Sequence, residues 1–421
     1  MVKKQFARRL ACATAVAWSF ASGGAGAAEP GGDWIGTWAA SAQPVWGDDF
    51  PIPMGMPRNL WNQTIRQIAH VSLGGKSVRI VLSNEYGDRP LTIAAAHVAM
   101  AGHGAAIEAG SDRALTFDGQ ASVTIPPGAP VISDPVNLDV PMQGNLAVSL
   151  FVPGPAPLTT VHWEGVQTAY IAGGNHVGDA DIKPDATTHS RVILTEIMVD
   201  APANARAVVL FGDSITDGTD SKLDMNHRWP DVLAERLQQA GDTNVSVLNQ
   251  GISGARVLSD RMGSNALARF NRDVLAQPHA STVVLMMGIN DIGWPDSVLA
   301  PHETVPTAGD IIAGYKQMIV RAHMHGLRIV GATLTPFDDA FKGMALAGYY
   351  STGKEAKRQA VNAFIRGGAF DAVIDFDAAV RDPAHPTQIQ AKFDSGDHLH
   401  PEDNGYRAMA ESIDLKSLLG H

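Results

Sequence analysis

The spacing of hydrophobic positions changes near residue 206. From 34 to about 201 the apolar residues come in short runs rich in Val, Ile and Thr, at 66–73, 77–83, 122–125, 146–152 and 191–199. Turn-forming clusters separate them: Gly74-Gly75, Asn84-Glu85-Tyr86-Gly87-Asp88, Pro126-Pro127-Gly128 and Pro153-Gly154-Pro155. Short strands with such punctuation predict an all-β sandwich or jelly-roll-like domain. Beyond 206 the pattern alternates. Residues 208–211 read as a buried strand, 229–239 carry helical spacing, and 245–248 form a strand leading into a mostly helical stretch to about 275. Strands at 281–287, 328–333 and 372–376 then alternate with helices at 310–325 and 354–366, and 401–419 reads as a last helix. Such alternation predicts a parallel sheet with helices on both faces. The join falls at 201–205, where Pro202 and Asn204 interrupt the pattern. The expected division is a β-rich sandwich-like module over 28–202 and an α/β domain over 203–421.

The first residues belong to neither part. Lys3, Lys4, Arg8 and Arg9 precede an apolar run at 10–21, and Ala25-Gly26-Ala27 supplies a small-residue cleavage site. This reads as a secretory signal peptide over 1–27, too short and wrongly flanked for a membrane span. Arg8-Arg9 is also compatible with export in the folded state. Cys12 is the only cysteine and lies near the start of this apolar run rather than after it, which argues against a lipoprotein anchor. The mature chain would then hold no disulfide and work in the periplasm or outside the cell. Losing four basic residues takes the formal charge from −11 to −15. An acidic surface argues against nucleic acid and anionic membranes as partners, and no later run is apolar enough to cross a bilayer.

Four loops at the carboxyl ends of the predicted α/β strands carry the candidate chemistry. The first is Gly212-Asp213-Ser214-Ile215, where Gly212 permits a sharp turn and Ser214 stands just beyond the strand. The others are Asn249-Gln250-Gly251-Ile252-Ser253-Gly254, Gly288-Ile289-Asn290-Asp291 and Asp397-His398-Leu399-His400. Acyl transfer needs a hydroxyl, a base to take its proton, a carboxylate to hold that base, and donors waiting for the oxyanion. Ser214, His400 and Asp397 fit the first three roles, the last two being close enough for one tight turn to join them. The Ser214 and Gly254 backbone N–H groups and the Asn290 side-chain amide fit the fourth.

These segments, Gly-Asp-Ser-Ile, Gly254, Gly288-x-Asn290-Asp291 and Asp397-x-x-His400, resemble the four blocks of the SGNH/GDSL hydrolase superfamily, in that family's order. The resemblance implies a flavodoxin-like three-layer α/β/α fold and esterase or lipase activity. It implies Ser214 as nucleophile, Gly254 and Asn290 completing the oxyanion hole, and Asp397 with His400 completing the triad. The Gly-x-Ser-x-Gly elbow of the α/β-hydrolases is absent. In the first half, Trp34-Ile-Gly-Thr-Trp-Ala-Ala-Ser41 and Asn62-Gln-Thr-Ile-Arg-Gln67 resemble a subgroup of secreted GDSL esterases that place a β-rich module before the catalytic domain.

Other residues admit two readings. Asp213 reads as a helix-start residue ahead of a second catalytic acid. Asp291 either orders its own loop or, with Trp294 and Tyr349, contacts substrate. The loop from Trp294 to Thr307 reads as a pocket rim. Met344, Leu346, Tyr349 and Tyr350 form either an apolar wall opposite it or packing beneath a helix. His162, Trp163 and Tyr170 either face the site or pack inside the β-rich part. His398, and the pair His323 and His325, lack the neighbours of a metal site, so neither metal nor cofactor is expected. The expected function is a secreted serine esterase acting on a small-molecule or acylated-glycan ester, a carbohydrate O-acyl (acetyl) or short-chain esterase. The alternatives are a lipid or aryl carboxylesterase, an acyltransferase on the same scaffold, and a non-catalytic glycan-binding protein.

Overall fold

Two pairing patterns divide this computed structural model, which describes residues 33–420. The leader expected over 1–27, with Cys12, lies outside the described residues. The first part is antiparallel. Its main strands are β1 (Trp34–Ala39), β2 (Gln63–His70), β3 (Gly75–Ser83), β4 (Ala95–Met100), β5 (Pro130–Ile132), β6 (Val136–Val140), β7 (Asn145–Val152), β8 (Ala169–Gly173), β9 (Ala186–Thr188) and β10 (Leu194–Asp200). One sheet runs β1-β10-β3-β5, with β6 also paired to β3. A second runs β9-β8-β2-β7-β4. Ile80 and Ile197 from the first sheet and Ile65, Val98 and Val148 from the second are fully buried in one shared core. The run predicted over 191–199 breaks at Ile193, whose φ of 67° lies in the left-handed region and cannot continue a strand.

The second part is the predicted alternation. Its elements are β11 (Arg206–Gly212), α1 (Ser214–Asp217), α2 (Trp229–Ala240), β12 (Val245–Asn249), α3 (Ala266–Phe270), β13 (Ala280–Met286), α4 (Ile289–Gly293), α5 (Ala308–Met324), β14 (Arg328–Ala332), α6 (Thr352–Arg366), β15 (Ala372–Ile374), α7 (Phe376–Val380), α8 (Asp403–Glu411) and α9 (Leu415–Leu419). All neighbours in the order β12-β11-β13-β14-β15 are parallel, the flavodoxin-like arrangement. Alternate side chains of β11 serve opposite layers, as strand geometry requires. Val208 and Leu210 pack with Trp229 and Leu233 of α2 and Tyr406 and Met409 of α8. Val209 and Phe211 pack with Ile311, Tyr315 and Met318 of α5 and join the core of the β-rich part.

Three predicted spans differ. The helical stretch expected up to 275 is irregular until Asn265, whose side chain caps α3 by accepting from the Ala268 N–H. The last strand stops at Ile374 because Asp375 caps α7, and the final helix divides where Asp414 caps α9. Among the described residues no helix is long and apolar enough to cross a membrane.

The change of architecture near residue 203 comes without a break in packing. β1 lies along β12, the edge of the parallel sheet. The Val247 N–H donates to Ser72 Oγ at 3.0 Å, and Ser246 Oγ donates to the Gly36 carbonyl. A Cβ at Gly36 would lie 3.1 Å from Leu248, so glycine is what lets the two strands approach. Truncating the fully buried Leu248 to Ala would cost about 2–5 kcal/mol.

Candidate active site

Ser214 sits where β11 gives way to α1, at the point where the strand order reverses and open α/β sheets bind their ligands. A Cβ at Gly212 would fall 2.8 Å from the Met286 carbonyl of β13, so the tight exit requires glycine. Asp213 caps α1, its Oδ1 accepting from the Ile215 N–H at 3.2 Å. Burial pushes the Asp213 carboxyl up to about 7, and its Oδ2 has no partner. It is a helix-start residue turned away from the cavity.

The loop ahead of α8 folds back on itself through a bridge between Asp394 and Pro401. Asp397 Oδ1 accepts from the Leu399 and His400 N–H groups at 2.8 Å each, which aims Oδ2 at His400 Nδ1, 2.5 Å away. His400 Nε2 then lies 2.8 Å from Ser214 Oγ. With its Nδ1–H held by the carboxylate, the ring presents the Nε2 lone pair to the serine hydroxyl. Burial raises the Asp397 carboxyl, yet the His400 charge and hydrogen bonds outweigh it and hold the group well below the usual carboxylate range. For His400, burial lowers the pKa, but Asp397, Asp220 and Asp213 together raise it above the ordinary histidine value. Asp220 Oδ2 stands 3.6 Å from Nδ1.

The loop after β12 comes up beside Ser214. A Cβ on Gly251 would lie 2.4 Å from the Asp217 backbone nitrogen, so glycine lets the loop press against α1. Ser253 donates its N–H and its hydroxyl to Asp217 Oδ2, both at 2.9 Å. Gly254 has a φ of 77°. Arg269, wholly buried and paired with Asp273, ties this loop to the serine turn, donating to the Gln250 and Gly212 carbonyls at 2.8 and 2.9 Å. The loop after β13 brings Asn290. Its Oδ1 accepts from Trp294 Nε1 at 2.9 Å and Tyr349 Oη at 2.8 Å, and its Nδ2 donates to the Ala255 carbonyl at 3.1 Å. Those bonds settle which way round the amide sits and leave one Nδ2–H free. The Ser214 and Gly254 N–H groups have no acceptor among the described residues.

These groups line a cavity of 290 Å³ whose apolar wall is Ile52, Trp163, Met262, Leu299, Phe341 and Leu346. Thus Ser214, Gly254, Asn290, Asp397 and His400, named from the sequence, come together in one place. The loop from Trp294 reaches the cavity through Trp294 and Leu299, and the 337–351 stretch through Phe341, Leu346 and Tyr349. Asp291 requires correction as a substrate contact. It is buried, its carboxylate accepts from the Val257 and Leu258 N–H groups at 2.7 and 3.0 Å, and it does not line the cavity. Trp294 and Tyr349 do line it, but their polar atoms face Asn290. His398 is bonded to Asp394, and His323 to Asp371, each as a surface pair. Asp220, Asp397 and His400 have the spacing of a metal-ligand set, but Asp397 and His400 are already bonded to each other. Ile52, Met262, Asp217 and Arg269 were not legible as site residues, since no local pattern marks them.

The family model of the GDSL-like lipase/acylhydrolase matches residues 208–413. No curated protein matches the chain. The chain is similar to the solved structure of a carbohydrate acetylesterase family member from Sinorhizobium meliloti, at 19% identity and a TM-score of 0.38 over 51% of this chain and 100% of that one. It is similar to the aryl esterase of M. smegmatis at 17% identity and a TM-score of 0.40, over 51% and 100%. A GDSL-like lipase from Bacteroides thetaiotaomicron matches at 16% identity and 0.36, over 50% and 87%. Residues 208–413 of this chain are a GDSL-like lipase/acylhydrolase domain, that of a carboxylic-ester hydrolase, with a β-rich part in front of it.

Proposed function

We propose that the protein is a serine esterase in which Ser214, His400 and Asp397 act as a triad, with Ser214, Gly254 and Asn290 as the oxyanion hole. The observation that carries this reading is the unbroken line from Asp397 Oδ2 through His400 to Ser214 Oγ, at 2.5 and 2.8 Å. Ser214 Oγ bonds to the ester carbonyl carbon as His400 Nε2 takes its proton. The carbonyl oxygen becomes an oxyanion facing the two backbone N–H groups and the free Asn290 Nδ2–H. His400 then hands the proton to the departing alcohol oxygen, leaving an acyl-serine. Water repeats the steps and releases the acid.

The substrate we propose is a short acyl ester of a hydroxyl-rich alcohol, such as an acetylated glycan. The apolar cavity of 290 Å³ suits a small acyl group. Across Trp163 a second cavity of 340 Å³ is lined by Glu164, Thr187, Thr188, His189 and Ser190, a hydrogen-bonding surface fit for sugar hydroxyls beside an aromatic face. Export from the cytoplasm is proposed on the pattern of residues 1–27 alone.

The test is hydrolysis of p-nitrophenyl esters of increasing chain length beside acetate release from acetylated polysaccharide, with Ser214→Ala as control. The serine variant is expected to lose roughly 10³-fold or more in kcat while keeping its fold. Retained turnover in that variant overturns the mechanism. Aryl-ester rates that climb with acyl length, without acetate release from glycan, overturn the substrate.

A further inference from the structure

His162 belongs to the β-rich part, at the end of the short strand Thr160–His162, yet its ring reaches the α/β part. It is 5% exposed. Nε2 lies 2.9 Å from Asp217 Oδ1, and Nδ1 lies 3.1 Å from the Ser41 carbonyl oxygen. A neutral imidazole has one N–H and one lone pair, so against a carbonyl and a carboxylate it would leave two acceptors facing each other. Both contacts are satisfied when the ring carries both protons. Burial lowers the His162 pKa, but the Asp217 carboxylate outweighs it and the net direction is up. A buried imidazolium–carboxylate pair therefore joins the two parts.

The other oxygen of Asp217 is committed to Ser253, whose N–H and hydroxyl both reach Oδ2 at 2.9 Å, with Thr219 Oγ1 3.0 Å from that hydroxyl. Ser253 immediately precedes Gly254. Asp217 is also the last residue of the helix that Ser214 opens. One carboxylate thus sets the spacing between the serine helix and the glycine loop, and His162 sets the carboxylate. Buried ion pairs contribute little net stability, because desolvation offsets their attraction; their better-attested use is fixing one geometry.

We propose that His162, supplied by the β-rich part, is a positioning residue of the oxyanion hole, acting through Asp217 and Ser253 on the Gly254 N–H. This rests on the esterase reading above. Without His162, Asp217 keeps a charge whose nearest hydrogen-bonded cation is gone. The carboxylate is free to turn, and the Ser253-Gly254 segment loses its fixed distance from Ser214.

The test compares kcat/KM for an oxygen ester and for its thionoester in the full chain. Sulfur accepts hydrogen bonds poorly, so the ratio of the two reads the oxyanion donors, whereas a smaller folded fraction lowers both substrates equally. In His162→Leu the oxygen-ester rate is expected to fall roughly 10-fold or more, the thionoester rate far less, and KM to change little. His162→Gln, which keeps an N–H toward Asp217, is expected to recover most of the ratio. If His162→Leu does not fold, Asp217→Asn and His162→Leu/Asp217→Asn decide the matter: neither holds an uncompensated charge, and because His162 acts through the carboxylate both are expected to show the same lowered ratio. A wild-type ratio in the His162→Leu protein, a wild-type ratio in Asp217→Asn, or a further fall in the ratio when His162→Leu is added to Asp217→Asn, overturns the proposal. If Ser214→Ala is inactive while the ratio stays wild type, only the positioning role fails. Activity in Ser214→Ala removes the esterase reading and this inference with it.

Discussion

Tyr349→Phe removes one oxygen atom and tests what holds Asn290. The Tyr349 ring is buried, and burial also pushes its hydroxyl well above the ordinary tyrosine range, so it remains a donor at any working pH. Its partner, Asn290 Oδ1 at 2.8 Å, has a second donor in Trp294 Nε1, so the variant leaves no orphaned acceptor. The loss is one buried hydrogen bond, about 0.5–1.5 kcal/mol. If that energy works through the orientation of the amide, it appears as a fall of roughly 2- to 10-fold in kcat with KM unchanged. Asn290→Ala, which deletes the donor itself, is expected to cost roughly 10²- to 10³-fold. Steady-state hydrolysis of p-nitrophenyl acetate, with thermal unfolding of the same samples, separates the alternatives. A rise in KM at constant kcat would restore the reading of Tyr349 as a substrate contact. An unchanged kcat with a lowered Tm would make the bond purely structural, and either result refutes the reasoning.

Two further predictions concern protons. The base must be neutral, so activity falls as pH drops through the raised His400 pKa, and the acid limb of kcat/KM should inflect above the ordinary histidine value; Asp220→Asn, removing a carboxylate 3.6 Å from Nδ1, should move that limb to lower pH, and a pH–rate series with no movement would refute the assignment. At the joint between the two parts, burial pushes the Glu196 carboxyl up to about 7 from its ordinary 4.5 and its Oε1 has no partner. The folded state therefore binds the proton more tightly than the unfolded chain, and stability falls as pH rises between those values. Glu196→Gln should abolish this slope and add on the order of 1–3 kcal/mol above pH 7, and Tm-against-pH curves that stay parallel in the two proteins would contradict it.

Much of the candidate site was legible because its signals are local. Asp397 and His400 are joined by a single turn, and Gly212 marks a strand end followed by a sharp exit. Each of the four loops follows or precedes an element whose period of apolar residues is readable within a few positions. The break at Ile193 was not legible, since a β-branched residue at positive φ is imposed by contacts with Thr160 and Ser83 rather than by its own preference. Asp291 was misplaced for a related reason. A carboxylate next to Asn290 in sequence points the other way, toward backbone donors more than thirty positions earlier.

What the sequence by itself determined was the class of each half, the chain order of the candidate catalytic groups and the residue types that can do acyl chemistry. Hydrophobic period and turn chemistry are short-range, and they are written in adjacent residues. What only the tertiary structure decided is which groups meet. Placing β11 between β12 and β13 brings Gly254 up on one side of Ser214 and Asn290 on the other. Packing β1 along the sheet edge delivers Ile52 and Trp163 to the cavity and His162 to Asp217, 55 positions away. Such pairings depend on strand order and on the burial of whole faces, and no stretch of sequence contains them.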